Sequence, residues 1–351
     1  MKKVLIYFFT VLTGVIFYSC REEVVNPNTP GVTSVGAYVL SEGGFSSGSS
    51  KLSFYNLLSN TFTENIFNPT NIGLFPDGLI LSSNQLYLTE QGNFNAEGKI
   101  HNLDTSGTVI QSHAAGINPY SVAAVNEKIY ITNGPTNSVT VLNRSDLSPV
   151  TTITVGLYPQ EILALGTKVF VCNTSVFGGG TDSTVSVIDA ATDQVVATIF
   201  VRKKPSSLAI SRDGQLLVGC PGDASTGIIY KINPLSYVKV DSFFISNGFA
   251  LGFDKDIAVN TDNDDVYFIS YLNNIVKLNL STKLHSVFIP NSNTAVDFFY
   301  GYNYDPRNQK HYIANAKDFV SNGSVLLYDG NGNNLNTFAT GIIPRRIVVK
   351  F

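Results

Sequence analysis

Few residues of this 351-residue chain are spaced in a way that would support catalysis. Residues 44–48 read Gly-Phe-Ser-Ser-Gly and match the G-x-S-x-G pattern of a serine nucleophile. That nucleophile needs a strand before it and a helix after it, whereas Gly and Ser surround this run and a strand pattern follows it. We therefore interpret the run as a Gly/Ser-rich loop.

Residues that could bind a metal ion also lack the required spacing. The four histidines are His101, His113, His285 and His311. No two of them have the short separation of a metal-binding pair. Residues 329–333 begin like a calcium loop, but Asn334 and Thr340 stand where its Gly and Glu would be. We therefore predict a hairpin turn there, no metal, no cofactor and no enzymatic activity.

Composition narrows the class of protein further. The chain is 44% hydrophobic, has 23 basic and 26 acidic residues, and carries a net charge of −3. The basic residues are not clustered, so we predict no nucleic-acid partner. The chain contains no Trp, which excludes sites that dock a quinone or a sugar on Trp. The composition is that of a globular protein with a large core.

A repeat determines how these residues must be positioned. Pro76, Pro119, Pro159, Pro205 and Pro344 each open a similar apolar run. Each unit reads as four short strands, and the second half of most units has an apolar strand that ends in Asn or Asp before a turn. Four strands in roughly 40–50 residues is the period of a propeller blade.

Counting the units predicts the architecture. Six complete units begin near residues 76, 119, 159, 205, 254 and 297. Residues 37–40, 52–55 and 61–66 supply three more strands, and residues 342–351 supply one. We therefore predict an all-β, seven-bladed β-propeller over residues 36–351 with four-stranded antiparallel blades. The C-terminal strand would pair into the first blade and close the ring, which removes open sheet edges.

The N-terminus predicts a lipid anchor. Residues 1–19 have a basic start and a short apolar core, the pattern of a signal peptide. Residues 17–20 (Phe-Tyr-Ser-Cys) resemble a bacterial lipobox, so Cys20 would be lipidated, and residues 20–35 would form an extended tether. Acidic residues 22 and 23 favour export to the cell surface of the outer membrane. The alternative is an ordinary secreted chain with a chance Cys.

The propeller topology also predicts a binding face. The link into each first strand and the loop between the second and third strands must lie on one face, where the loops are long and rich in Gly, Asn and aromatic residues. We call this the long-loop face and its opposite the short-turn face. The candidate ligand-binding residues on these loops are Glu42, Phe45, Glu90, Phe94, Phe177, Lys317, Asp318 and Phe319. Candidates at the central channel are Asp77, Tyr120, Tyr158, Glu161, Arg345 and Arg346.

Several motifs resemble a known family. Residues 38–43 (YVLSEG), 184–189 (TVSVID) and 316–319 (AKDF), together with the proline repeats, resemble the YncE-like seven-bladed propeller lipoproteins, in the Bacteroides-group branch of unknown function. Some members of that branch capture cobalamin and pass it to a TonB-dependent outer-membrane transporter. The resemblance therefore implies a corrinoid ligand and such a partner, although no signature in the sequence distinguishes cobalamin from other ligands.

The leading hypothesis is a non-enzymatic surface lipoprotein that captures a bulky nutrient ligand on the long-loop face. Two alternatives stay open. The first is a scaffold for protein–protein interaction or a surface-layer component. The second is a lactonase-like or quinoprotein-like enzyme, which a metal held by carboxylates in the channel would support.

Overall fold

The computed structural model describes residues 33–46, 48–68, 71–176, 179–223, 226–246 and 256–351. The expected signal peptide, Cys20 and most of the tether lie outside these residues. The described chain folds into seven four-stranded antiparallel sheets. Within it, no helix is long and apolar enough to cross a membrane.

The seven sheets are the blades of the ring, and they are numbered in chain order from the N-terminus. Blade 1 combines β28 with β1, β2 and β3, and blades 2 to 7 each use four consecutive strands. The bounds are β1 (Gly36–Ser41), β2 (Lys51–Asn56), β3 (Thr61–Thr63), β4 (Pro76–Ser82), β5 (Gln85–Glu90), β6 (Glu97–Asp104), β7 (Val109–Ile117), β8 (Pro119–Val125), β9 (Lys128–Asn133), β10 (Ser138–Asn143), β11 (Pro149–Thr154), β12 (Pro159–Leu165), β13 (Lys168–Ser175), β14 (Thr181–Asp189), β15 (Gln194–Phe200), β16 (Ser207–Ile210), β17 (Leu216–Asp223), β18 (Thr226–Ile232), β19 (Lys239–Ser246), β20 (Ile257–Asn260), β21 (Asp265–Ile269), β22 (Ile275–Asn279), β23 (His285–Ile289), β24 (Phe299–Asp305), β25 (Lys310–Asn315), β26 (Asn322–Tyr328), β27 (Asn334–Ile342) and β28 (Pro344–Lys350).

The ring closes as predicted. β1 pairs antiparallel with β2 on one side and with β28 on the other, with Tyr38 opposite Val348. The chain just before β1 is also held, because the buried Ser34 hydroxyl donates a hydrogen bond to a carboxylate oxygen of Asp305 in blade 7. The predicted seven-bladed propeller with its composite first blade is therefore confirmed.

The core lies between neighbouring blades. Tyr38 and Leu40 of blade 1 pack with Leu79 and Leu86 of blade 2 in one buried cluster. Side chains alternate between the two faces of each sheet, so each blade buries apolar residues against both neighbours. Burying each such side chain contributes about 1.5–3 kcal/mol, which makes blade stacking the main source of stability.

The outer strand of blade 1 is shorter than predicted. It was expected over residues 61–66 and ends at Thr63, although the Ile66 amide still donates to the Leu52 carbonyl at 2.7 Å.

Cys172 and Cys220 are free thiols, and both are buried. Burial raises the pKa of Cys220 to about 12, so this thiol stays protonated at neutral pH.

The predicted long-loop face brings two sets of loops together in the described residues. The loop after β1 meets the link into β28, where the Glu42 amide donates to the Ile343 carbonyl at 2.8 Å. Equivalent backbone hydrogen bonds recur in two other blades. The Gln91 amide donates to the Phe75 carbonyl at 3.2 Å, and the Thr174 amide donates to the Leu157 carbonyl at 3.0 Å. Loops between second and third strands therefore pack against links into the first strands, as the topology requires.

Candidate functional site

Each repeat proline marks a turn of the chain into the channel. The residue before the proline lies in the left-handed region, with φ between 42° and 59°, in Phe75, Asn118, Tyr158, Lys204 and Ile343. This conformation costs about 1–2 kcal/mol for a residue with a Cβ. Proline tolerates the first position of a strand because it has no N–H to leave unpaired. The register then shifts after Pro76, Pro119 and Pro159, which is a β-bulge.

Threonines of the preceding blade fix these bulges. The Thr89 hydroxyl donates to the Tyr120 carbonyl at 2.8 Å, and the Thr132 hydroxyl donates to the Gln160 carbonyl at 2.6 Å. Each threonine stands one residue before the end of the second strand of its blade. The bulge residues are therefore held by the neighbouring blade as well as by their own sheet.

Charged residues of four blades or their entry links meet in the channel. The Arg346 guanidinium of blade 1 contacts Glu161 of blade 4 at 2.6 Å (Nη2 to Oε1) and Asp256, just before β20, at 3.2 Å (Nη1 to Oδ1). Its Nη2 also lies 3.5 Å from Asp77 Oδ1 in blade 2. Arg345 Nη1 lies 2.9 Å from Asp256 Oδ2. We call Asp77, Glu161, Asp256, Arg345 and Arg346 the channel cluster.

The Arg346 guanidinium of the channel cluster stays protonated. Burial alone would lower the pKa of Arg346, but the nearby carboxylates, Glu161 foremost, outweigh burial and raise it above its ordinary value. The side chain of Arg346 is only 13% exposed and that of Arg345 only 2%. Arg346 therefore connects blade 1 with blade 4 and with the link into blade 6 across the channel.

A tyrosine pair lies beside the cluster. The hydroxyl oxygens of Tyr120 and Tyr158 are 2.9 Å apart. Burial, the Tyr158 hydroxyl and the charges of Asp77 and Glu42 all raise the pKa of Tyr120, so its hydroxyl is neutral at pH 7. Gly134 makes room for the pair, since a Cβ there would lie 2.7 Å from the Tyr120 ring and 2.9 Å from the Tyr158 ring.

Further aromatic side chains surround the same end of the channel. Phe45 packs edge-on against Phe75 with ring centroids 5.6 Å apart. Phe319 contacts Phe298 at 5.0 Å and Tyr300 at 5.3 Å between centroids. We call these residues and the tyrosine pair the aromatic rim, which comprises Phe45, Phe75, Tyr120, Tyr158, Phe298, Tyr300 and Phe319. The Arg345 guanidinium lies 5.3 Å from the Tyr300 ring centroid and joins the rim to the channel cluster.

Other sequence candidates hold the loops in place. Glu90 is buried, accepts a hydrogen bond from the Gly73 amide at 2.6 Å and lies 3.1 Å from His101 Nε2. These contacts outweigh burial and lower the pKa of Glu90, so it stays a carboxylate. Asp318 accepts the amides of Val320 and Ser321, which lowers its pKa to about 2.

The remaining candidates differ in their surroundings. Lys317 Nζ donates to the Asn322 carbonyl at 2.9 Å and closes the loop that presents Phe319. Phe94 is exposed on the loop after β5. Phe177 lies outside the described residues. The structure therefore groups Asp77, Tyr120, Tyr158, Glu161, Arg345 and Arg346 at the channel, with Phe45 and Phe319 above them.

Sequence reasoning missed four residues of this site. Phe75 stands directly before Pro76, as Tyr158 stands before Pro159, so the repeat itself contained the signal. Phe298, Tyr300 and Asp256 belong to the entries of the two blades that lack the proline.

Across the described residues, no group of three or more His, Cys, Asp or Glu side chains could hold a metal ion.

Comparison with known proteins supports the fold without assigning a function. Residues 35–340 match the family described as a domain of unknown function, DUF5074. No curated protein matches the sequence.

Solved structures share the architecture at low sequence identity. A quinonprotein alcohol dehydrogenase-like protein from Bacteroides thetaiotaomicron has a TM-score of 0.68 and 15% identity, covering 90% of this chain and 78% of that one. A Bacteroides fragilis protein provisionally described as a 6-phosphogluconolactonase has a TM-score of 0.66 and 11% identity, covering 92% and 100%. A Lactobacillus plantarum protein has a TM-score of 0.62 and 16% identity, covering 91% and 99%. At such identities the likeness shows the fold alone.

Proposed function

We propose that this chain, which belongs to the DUF5074 family, is a non-enzymatic protein that binds a bulky nutrient ligand on its long-loop face. The single observation that carries the proposal is the aromatic rim above the channel cluster. A concave site with apolar walls and a few convergent polar groups is the usual form of a ligand pocket.

The spread of the rim favours a bulky ligand. Phe45 belongs to blade 1, Tyr120 to blade 3 and Phe319 to blade 7, so the aromatic side chains are distributed around the ring. Phe45 is 92% exposed and Phe319 is 38% exposed, which leaves both rings accessible. Exposed aromatic residues supply large contact area at binding sites. A ligand that contacts aromatic side chains of several blades at once must be larger than a simple metabolite.

The channel cluster favours binding over metal-dependent catalysis. An enzyme that holds a metal in the channel would need its carboxylates free to coordinate the ion. Instead Asp77, Glu161 and Asp256 are paired with arginines. The exposed rim is also compatible with a protein partner, so a scaffold remains the second candidate function.

The exit of the tether supports presentation at a cell surface. The buried Ser34 accepts a hydrogen bond from the Asn308 amide and donates to Asp305, both at the turn between β24 and β25 on the short-turn face. A chain lipidated at Cys20 would therefore be anchored from the side opposite the aromatic rim. The rim would then point away from the outer membrane, toward incoming ligand.

Cobalamin is the first ligand to test, because the family resemblance implies a corrinoid. We expect calorimetric titration of the full chain with cobalamin to give saturable heat. The Phe319→Ala variant should bind more weakly, whereas Phe244→Ala is a matched control because this exposed ring lies on the outer strand β19. Absence of heat at high micromolar cobalamin would discard the corrinoid. Equal binding by both variants would discard the rim as the site.

A further inference from the structure

A polar cavity lies on the short-turn face, on the other side of the ring from the aromatic rim. Its volume is about 410 Å³, and it is lined by Arg212, Thr261, Asp262 and Arg307. These residues belong to the turns that follow the innermost strands of blades 5, 6 and 7. Three consecutive blades therefore contribute to one open cavity that the proposed ligand-binding face does not use.

The turns that carry the two arginines are fixed by hydrogen bonds. The Ser211 hydroxyl accepts the Gln215 amide at 3.0 Å and closes the turn that carries Arg212. Asp305 Oδ1 accepts the Arg307 amide at 2.9 Å and anchors the other turn. Arg212 Nη1 also donates to the Asp262 carbonyl at 3.1 Å, which holds its guanidinium against blade 6. Both guanidinium groups are thus presented from ordered turns at opposite sides of the cavity.

The chemistry of this lining favours an oxyanion. Two guanidinium groups and the Thr261 hydroxyl are hydrogen-bond donors, and one carboxylate, that of Asp262, opposes them. The lining therefore carries one more formal positive than negative charge, although the whole chain has a net charge of −3. Guanidinium groups match the geometry of phosphate oxygens and form charge-assisted hydrogen bonds with them. We propose that this cavity binds a phosphate group.

The phosphate could come from solution or from a lipid headgroup. Ser34, which lies two residues before β1, contacts Asp305 and Asn308 on either side of Arg307 in sequence. Roughly 13 residues separate Ser34 from Cys20, and they span at most about 45 Å when extended. If the chain is lipid-anchored as proposed above, the cavity faces the membrane within that distance. Only the lipid source rests on the proposed anchoring.

The test is calorimetric titration of the full chain at constant ionic strength. One arm uses inorganic phosphate, and the other uses a short-chain phosphatidylglycerol below its micelle concentration. We expect saturable binding in at least one arm and about tenfold weaker binding, or more, in Arg212→Gln and Arg307→Gln. Asp262→Asn should bind more tightly because it removes the opposing charge. Lys203→Gln is the matched control, since it removes an exposed positive charge on the long-loop face.

The outcomes separate the sources and the two proposals. Binding of inorganic phosphate supports a soluble ligand, and binding of the lipid alone supports a headgroup. The proposal is overturned if the wild-type chain binds neither probe. It is also overturned if Arg212→Gln and Arg307→Gln both bind as tightly as the wild type. Denaturation midpoints identify a variant that has failed to fold. Phe319→Ala should leave phosphate binding unchanged, so failure of the rim and failure of this cavity are distinguishable.

Discussion

Replacement of Arg346 by Met should destabilise the propeller. Arg346 is the only residue of the channel cluster that contacts Asp77, Glu161 and Asp256 together. The Met side chain keeps much of the buried volume but leaves carboxylates of separate blades facing one another without that cation. Arg345 contacts Asp256 but not Glu161, so it does not replace Arg346.

The magnitude follows from burial. The side chains of Asp77 and Glu161 are only 5% and 9% exposed. Removing one partner of a buried ion pair costs about 3–5 kcal/mol, because the other partner stays charged in a poor solvent. Because the channel opens to solvent at its mouth, we expect a loss at the lower end of this range, about 3 kcal/mol in the free energy of unfolding. With an unfolding entropy of about 2.1 cal/mol/K per residue, Tm should fall by roughly 4–5 °C.

Chemical denaturation of wild type and variant, followed by circular dichroism, measures this change. Lys203→Met is the control, because it removes an exposed cation and should shift the free energy of unfolding by less than about 0.5 kcal/mol. A loss below about 1 kcal/mol for Arg346→Met would refute the reasoning, since it would place the cluster in the range of solvent-screened surface pairs.

Three further predictions concern the core and the tyrosine pair. Burial lowers the pKa of His311 from 6.5 to about 4. Because the folded state disfavours the proton, stability present above pH 6.5 should be lost as the pH falls toward 4, by about 3 kcal/mol. Denaturation midpoints across this range should show that slope in the wild type and a weaker slope in His311→Gln. Gly134→Ala should cost about 1–3 kcal/mol by chemical denaturation, because its Cβ would overlap both tyrosine rings. Cys172 and Cys220 should resist thiol reagents in the folded protein and react after unfolding, as a colorimetric thiol assay measures.

Each of these predictions has a contradicting result. A wild-type pH slope that His311→Gln leaves unchanged would assign the acid sensitivity to other groups. Unaltered stability of Gly134→Ala would mean that the tyrosine rings move apart at little cost. Gly44→Ala is its comparison, because a Cβ there would lie no closer than 3.9 Å to any neighbouring atom. Rapid labelling of the folded protein would show that the thiols between blades 4 and 5 are accessible.

The sequence predicted the ring because its signals are local and repeated. Pro76, Pro119, Pro159 and Pro344 mark innermost strands, and a strand with no partner in its own repeat has to close the ring. The alternation of apolar residues within each strand then determines which side chains face the neighbouring blade. None of these inferences requires knowledge of distances across the ring.

The site was only partly predictable for the opposite reason. The pairing of Arg346 with Glu161 and Asp256 depends on how side chains extend across the channel, which no local pattern encodes. Blades 6 and 7 begin without the proline, so Asp256 and Tyr300 were not placed at the channel. Glu90 was assigned to the ligand-binding loops because the sequence does not show that His101 lies beside it.

The most direct test of the central claim is affinity capture of small molecules from growth medium by the purified chain, with detection by mass spectrometry. The comparison is between the wild type and the Phe45→Ala/Phe298→Ala/Phe319→Ala variant, with Phe244→Ala as control. The account predicts a compound retained by the wild type and the control and lost from the triple variant. Retention by all three proteins, or by none, would contradict a ligand site at the aromatic rim.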